Sequence, residues 1–409
     1  MLNKLWFSFF ALAFIACLYQ SLWLGHSSVF NDVVNALFSM AKTSVDIALG
    51  LIGVMCLWLG LFRIVEHAGL VQKLSLLLGP LFKRLMPDVP QGHPAHSAIT
   101  MNLAANMLGL DNAATPLGIK AMQSLQTLNP TPNTASNAQI LFLVLNTSSV
   151  TLLPVTIFMY RAQAGAASPT DVFLPILIAT SCSTLVGLLA VAWFQKIRLL
   201  EPVVLAYFGG FTALMATLFT AIASVPAAEL SRYSSLTANV ILLSFIVGVI
   251  SYAHWRKLHV YEVFIDGAKE GFNTAVNLIP YLVAMLVAIA ALRASGVLTL
   301  FTDAIAFMLG HLGLPTDFVA SLPTGLMKPF SGSGSRALML ESFTSYGADS
   351  LVARISATMQ GSTETTFYVL AVYFGSVGIR FGRHAVICGL LADAAGIIAA
   401  VICGYWFFA

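Results

Sequence analysis

Two short polar segments interrupt otherwise apolar stretches: Asn146-Thr147-Ser148-Ser149 and Gln360-Gly361-Ser362-Thr363-Glu364. Each falls near the middle of a run long enough to cross a bilayer, Ala138 to Tyr160 and Ser350 to Ile379, and each reads as a helix broken at mid-depth. The N–H and C=O groups freed at such a break carry partial charges that can hold an ion or a polar solute. Glu364, set among Thr363, Thr365 and Thr366, is the carboxylate of the second break. An ionisable group buried at that depth is costly unless paired, so it is read as functional by default, here as a proton or cation site. A structural ion pair with Arg336 or Lys328 is the alternative, and the two roles are compatible.

Before each broken span lies a stretch too polar and too rich in Gly and Pro for an ordinary crossing, Ala95 to Leu128 and Asp317 to Tyr346. Each is expected to form a re-entrant hairpin. The first tip is Asn102-Leu103-Ala104-Ala105-Asn106 with Asp111-Asn112-Ala113-Ala114-Thr115-Pro116-Leu117-Gly118; the second is Lys328-Pro329-Phe330-Ser331-Gly332-Ser333-Gly334-Ser335-Arg336. Small residues permit close backbone approach, whereas extramembrane loops would explain the same composition without a site. Matched placement in both halves favours the site, because paired interrupted segments are a sequence pointer to a transporter's binding centre. The expected substrate-binding residues are Asn102, Asn106, Asp111, Asn112, Thr115, Asn146, Thr147, Ser148, Lys328, Ser331, Ser333, Arg336, Gln360, Ser362, Thr363 and Glu364, with Glu364 and Asp111 as ion-coupling groups.

Other chemistry has less support. Asp393 reads as a helix-packing or water-contacting residue, and Asp46 and Asn277, at corresponding places in the two halves, as interhelical hydrogen-bonding groups. His93-Pro94-Ala95-His96 lacks the further Cys, Asp or Glu cluster of a metal site and reads as a solvated loop, and the five cysteines lie in apolar segments without a CxxC pair. No metal and no cofactor is expected. The sequence contains no GxxxxGK[ST], HExxH or GxSxG motif, so ATP-driven transport and hydrolase chemistry have no anchor and the chain is not read as an enzyme.

The elements that must position these residues follow from composition. The 409 residues are 58% hydrophobic and 9% charged, against about a quarter charged in soluble domains. The apolar residues come in blocks without period-two alternation, which predicts an all-α polytopic membrane protein rather than a barrel. Full spans read as Leu5 to Gly25, Ser44 to Glu66, Asp171 to Phe194, Pro202 to Val225, Leu236 to Trp255, Thr274 to Arg293 and His384 to Phe408, making about nine crossings with the two broken helices. The first is read as retained rather than as a signal peptide, because its apolar stretch exceeds a signal core. Leu70 to Met86 and Val297 to Leu312 are amphipathic and expected to lie on the membrane surface. The formal charge of +3 gives no ground for a nucleic-acid partner.

The order of elements repeats: Ser44-Val45-Asp46-Ile47 corresponds to Ala275-Val276-Asn277-Leu278, His67-Ala68-Gly69-Leu70 to Ala294-Ser295-Gly296-Val297, and Leu185-Val186-Gly187-Leu188-Leu189 to Ala394-Ala395-Gly396-Ile397-Ile398. The chain divides into an N-terminal helix (1–29), a first repeat (30–198), two linking helices (199–260) and a second repeat (261–409). An odd number of crossings between equivalent points makes the repeats inverted in topology. Lys4, Lys73, Lys83, Arg84, Lys196, Arg198, Arg256, Lys257, Lys269, Arg380 and Arg383 then flank the inner side, with only Lys42, Arg161, Arg232 and Arg293 outside. The expected location is the bacterial cytoplasmic (inner) membrane, multi-pass, with the N-terminus inside and the C-terminus outside.

At Leu108-Gly109-Leu110-Asp111-Asn112-Ala113-Ala114-Thr115-Pro116-Leu117-Gly118 the chain resembles the spore maturation protein A family. At Lys328-Pro329-Phe330-Ser331-Gly332-Ser333-Gly334-Ser335-Arg336 and Gly361-Ser362-Thr363-Glu364-Thr365-Thr366-Phe367-Tyr368 it resembles spore maturation protein B, giving a fused A/B arrangement. The resemblance implies a nucleoside-recognition or gate domain, distantly like that of concentrative nucleoside transporters and of the membrane part of a ferrous iron transporter. No GTPase segment precedes the membrane region, which disfavours GTP-linked iron uptake. The leading expectation is a secondary transporter or exporter of a small polar solute, with a nucleoside-like solute among the candidates, coupled to a proton or cation gradient; a channel or passive pore and a non-transporting membrane scaffold or sensor in envelope assembly are the alternatives. The expected partners are the small-molecule substrate, the coupling proton or cation, the lipid bilayer and further copies of the chain in a homo-oligomer.

Overall fold

A computed structural model of the chain describes residues 2–108, 111–148, 151–197, 199–223 and 225–409; for residues 2–3, 5, 111–113, 214–215, 218–219, 221–223 and 227–228 it describes the backbone alone. Gly109 and Leu110 of the first hairpin, Ser149 of the first break and Arg198 therefore lie outside the described residues, as do the side chains of Asp111 and Asn112.

Among the described residues the regular structure is helical. After α1 (Leu2–Trp23) comes α2 (Val29–His67), then α3 (Leu70–Leu85), the pair α4 (Pro94–Met107) and α5 (Asp111–Gln126), the pair α6 (Asn137–Thr147) and α7 (Val155–Gln163), and α8 (Phe173–Gln195). Helices α9 (Pro202–Ala223) and α10 (Ala227–Trp255) follow. The same order then recurs as α11 (Val260–Ala294), α12 (Val297–His311), α13 (Leu322–Met327) with α14 (Gly332–Tyr346), α15 (Leu351–Ser362) with α16 (Thr366–Gly375), and α17 (Ala385–Phe408).

Local chemistry sets these boundaries. Gly69 and Gly296 both take a left-handed backbone, φ 76° and 73°, and turn the chain out of α2 and α11 into the amphipathic α3 and α12. Ser136 and Gln139 cap α6 reciprocally, and Ser350 accepts from the Ala353 N–H at the start of α15. At α4 the cap is His93, followed by Pro94, whose fixed φ suits a helix start. The expected solvated loop is thus a helix terminus, and His96 is buried with Nε2 3.2 Å from the Val89 carbonyl.

Six helices are long and apolar enough to cross a membrane among the described residues: Trp6–Trp23, Val29–His67, Phe173–Gln195, Glu229–Trp255, Val260–Ala294 and Ala385–Phe408. Large apolar side chains such as Phe38, Leu76, Trp193, Leu243, Phe307 and Ile402 face outward, a surface suited to lipid. With 39 and 35 residues, α2 and α11 are longer than the spans expected from hydropathy. At 1.5 Å per residue they reach about 58 and 52 Å, beyond a ~30 Å hydrocarbon layer. Hydropathy marked only their apolar ends; the helices continue through polar turns containing Asp32 and, in α11, Asp266 and Lys269, ion-paired at 3.3 Å.

Corresponding helices pack against each other and run antiparallel. A Cβ on Gly267 would lie 2.5 Å from the Leu59 carbonyl, and one on Gly271 2.6 Å from the Met55 carbonyl, so rising numbers on α11 meet falling numbers on α2. Gly187 meets Ala392 while Gly396 meets Ser183, which sets α8 antiparallel to α17 in the same way. The loops agree. The α5–α6 connection meets the α16–α17 connection, where the Arg380 and Phe381 N–H groups both donate to the Asn133 carbonyl at 2.9 and 3.0 Å. At the other end the α7–α8 connection meets the α14–α15 connection, where the Ala167 N–H donates to Asp349 Oδ2 at 2.8 Å, and Arg161 of α7 donates to the Ala348 carbonyl at 2.7 Å.

Candidate functional site

The two broken helices meet at their interruptions. Helix α6 ends at Thr147 and α7 begins at Val155; α15 ends at Ser362 and α16 begins at Thr366. The Glu364 N–H, freed by the second break, donates to the Thr147 carbonyl at 2.7 Å, which the first break leaves without a helical partner. Each hairpin is tied to a break as well: Leu152 N–H donates to the Met107 carbonyl at 3.0 Å, and Phe367 N–H to the Pro329 carbonyl at 2.9 Å. Backbone groups that lipid could not satisfy thus satisfy one another.

Around this junction is a cavity of about 110 Å³ lined by Asn106, Thr151, Leu153, Pro154, Thr156, Ile157, Lys328, Gly332, Arg336, Gln360, Gly361, Thr363 and Glu364. Both hairpins and both breaks contribute. Six expected site residues share its wall: Asn106, Lys328, Arg336, Gln360, Thr363 and Glu364. Lys328 is buried and donates to the Gln360 carbonyl at 2.9 Å, and Arg336 lies over the Tyr160 ring, 5.5 Å from its centroid. The Ser335 hydroxyl donates to Gln360 Oε1 at 2.6 Å and fixes that amide.

Glu364 differs from the sequence expectation. Its side chain is exposed at the cavity wall rather than buried, whereas its threonine neighbours Thr363, Thr365 and Thr366 are buried. The buried carboxylate at this level is Asp393 of α17, which accepts from the Thr366 hydroxyl at 2.6 Å, a closer tie to the break than a helix-packing role requires.

Other expected residues support the wall without lining it. Asn106 Nδ2 donates to Asn146 Oδ1 at 2.8 Å, Tyr373 donates to the same oxygen at 3.3 Å, and Asn102 Nδ2 donates to the Tyr373 hydroxyl at 3.4 Å. A Cβ on Gly118 would fall 2.2 Å from that hydroxyl, so the glycine makes room for Tyr373 against α5. Ser331 caps α14 by accepting from Gly334 N–H at 3.0 Å and lies 3.2 Å from Ser333. Ser148 and Ser362 hydroxyls turn back on the carbonyls of Val144 and Met359, and Thr115 sits on α5 outside the cavity lining.

Sequence reasoning missed three features. Thr151 and Thr156 line the cavity, and their place beyond the Asn-Thr-Ser-Ser run hid them. Tyr373 stood in an apolar run with only its hydroxyl as a signal. The third is an ion cluster. Arg161 and Asp171, both without exposure, pair at 2.9 Å; Arg161 also reaches Asp349 at 3.2 Å, and Arg354 reaches Asp171 at 2.9 Å. Arg161 and Asp349 stand 188 positions apart, so no local motif betrays the cluster. Among the described residues no group of His, Cys, Asp or Glu could hold a metal ion.

Electrostatically the cavity joins two cationic side chains to one carboxylate, with the N-termini of α7 and α14 nearby through Thr156 and Gly332. Hydrogen-bond acceptors on a solute suit such a wall. The volume is below the ~300 Å³ lower bound of ordinary ligand pockets.

Fold and site together define a multi-pass helical membrane protein with a polar cavity shared between two matched sets of hairpin and broken helix. The nucleoside-recognition (Gate) family model matches residues 48–163 and 275–380, more than half of the chain, and the chain belongs to that family. It is similar to spore maturation protein A of Bacillus subtilis (strain 168), 38% identical over 200 residues, which covers 48% of this chain and 97% of that protein. It is also similar to spore maturation protein B of the same organism, 42% identical over 157 residues, covering 38% of this chain and 86% of that protein.

Proposed function

We propose that the chain is a secondary transporter of a small, acceptor-rich polar solute of nucleoside type, driven by a proton or cation gradient. The observation that carries this reading is the single cavity walled by both hairpins and both breaks, the arrangement expected where broken helices meet at a substrate site near the bilayer midplane. The antiparallel pairing of corresponding helices supports two units of opposite membrane orientation, 30–198 resembling protein A and 261–409 resembling protein B, within about nine crossings. The family's description supports a nucleoside as the first solute to test. Glu364, exposed at the cavity wall, is the carboxylate this reading assigns to coupling.

The test is uptake of a panel of labelled nucleosides into proteoliposomes under an imposed pH gradient, beside exchange without one. The expected result is saturable uptake, with Glu364→Gln losing gradient-driven accumulation while keeping exchange, because the amide preserves shape and hydrogen bonding but does not titrate. Flux that never saturates would indicate a pore, and Glu364→Gln matching wild type in both assays would remove its coupling role.

A further inference from the structure

We propose that Asp393 is a proton-binding site inside the membrane domain, roofed by the Thr363–Thr366 break and separate from the Glu364 carboxylate at the cavity wall. The inference rests on the transport reading and adds to it a second, occluded carboxyl.

The geometry begins with two glycines. Gly389 and Gly396 lie about one turn to either side of Asp393 on the same face of α17. A Cβ at Gly389 would meet Thr366 Cγ2 at 2.8 Å, and one at Gly396 would meet Thr363 Cγ2 at 2.7 Å. The interrupted segment therefore lies directly on α17 with the carboxyl between its two threonines. Asp393 is 1% exposed and Thr363 4% exposed. Thr366 donates to Asp393 Oδ2, but Asp393 Oδ1 and the Thr363 hydroxyl oxygen have no hydrogen-bond partner among the described residues.

A carboxylate held there would keep its charge out of water with only neutral threonine hydroxyls to donate to it, a costly burial. One proton added to Oδ1 removes the charge without losing a partner, because the Thr363 hydroxyl can donate to the ionised oxygen and accept from the protonated one. The charged groups whose fields reach Asp393 are Lys328 from the hairpin, opposite in sign, and Glu364 from the break, like in sign. The packed faces of α6 and α8 add Thr147 and Ser183, both uncharged. A metal cation would compete with the Lys328 ammonium and find few free oxygens, whereas a proton needs only one. Movement of the break away from α17 would open Asp393 to water and let the proton leave as it came, by reversible ionisation of the carboxyl. Occupancy is thereby linked to conformation, which is the requirement for coupling.

The experiment is infrared difference spectroscopy on the full chain in lipid nanodiscs, stepping pH in H₂O and D₂O. The expected signal is the carbonyl stretch of a protonated carboxyl shielded from water, retained in Glu364→Gln and lost in Asp393→Asn. Thr363→Val should shift its frequency by removing the acceptor. A wild-type spectrum without such a band at any pH, or a band that survives Asp393→Asn, overturns the proposal. So does a band erased by sodium at fixed pH, which would make the group a metal ligand. If Asp393→Asn does not elute as a folded particle, the Thr363→Val arm decides, and an unshifted band there overturns it. Since the band is read without any solute, its absence beside intact pH-driven uptake sinks this inference alone. Its presence beside absent uptake sinks only the transport reading.

Discussion

Arg161 shows what one residue can contribute when its charge has no access to water. Its guanidinium donates to Asp171, Asp349 and the carbonyls of Ala348, Pro169 and Ser168, so its charge and its donors are matched. Replacing it with Met leaves Asp171 buried beside Arg354 alone, and breaking a buried pair in this way costs about 3–5 kcal/mol. The expected outcome is a marked fall in melting temperature in detergent, partly restored in Arg161→Met with Asp171→Leu, where no carboxylate is stranded. A double variant as unstable as the single would show that the cluster acts through packing rather than charge. The sequence placed Arg161 on a loop flank because charge counting sees only the order of spans; that two arginines and two aspartates converge from distant loops is a property of tertiary packing. Glu364 was singled out for its place in a polar break, but its exposure depends on which way the break turns. Threonine content could not fix that direction.

At the scale of elements, α2 lies close against α11, which Gly267 and Gly271, four positions apart, make possible. Added Cβ atoms would fall within 2.5–2.9 Å of backbone atoms of α2 at Gly267 and Gly271, with Arg63 Cβ at 2.6 Å as well. Since backbone cannot rotate away as a side chain can, Gly271→Val should force the helices apart and cost about 1–3 kcal/mol. The measurement is thermal stability in nanodiscs, with Gly209→Val, whose Cβ meets nothing within 4 Å, as the control. Equal stability of the two variants would contradict the close packing. The helix boundaries were largely legible: the paired short helices, the breaks and the amphipathic α3 and α12 appear where Gly, Pro and polar runs interrupt the apolar blocks, because those residues act locally on the backbone. Helix lengths were not, since hydropathy reports the solvent around a helix and not where its hydrogen bonding stops.

For the whole molecule, the pairing of loops across the two units predicts that equivalent points lie on opposite faces of the membrane. Single cysteines near Lys83 and near His311, in a background without the native five, should react with an impermeant thiol reagent from opposite sides. Labelling of both from one side would sink the inverted arrangement. The repeat could be read from the order of elements, but the partner of each helix could not. That α2 seeks α11 and α8 seeks α17 is visible only where glycines meet backbone in space.

That pairing bears on how the molecule is assembled. The α2–α11 contact and the wall of the cavity both join residues of 30–198 to residues of 261–409, so either segment alone would present a glycine-lined groove without its occupant and half of the cavity wall. Two separately made units would have to find each other by diffusion in the bilayer, at a rate set by how much of each the cell produces. Joined through α9 and α10, one unit is held near the other at an effective concentration of about millimolar, whatever the expression level. The joined chain fixes their stoichiometry at synthesis and makes completion of the site an intramolecular event, insensitive to dosage.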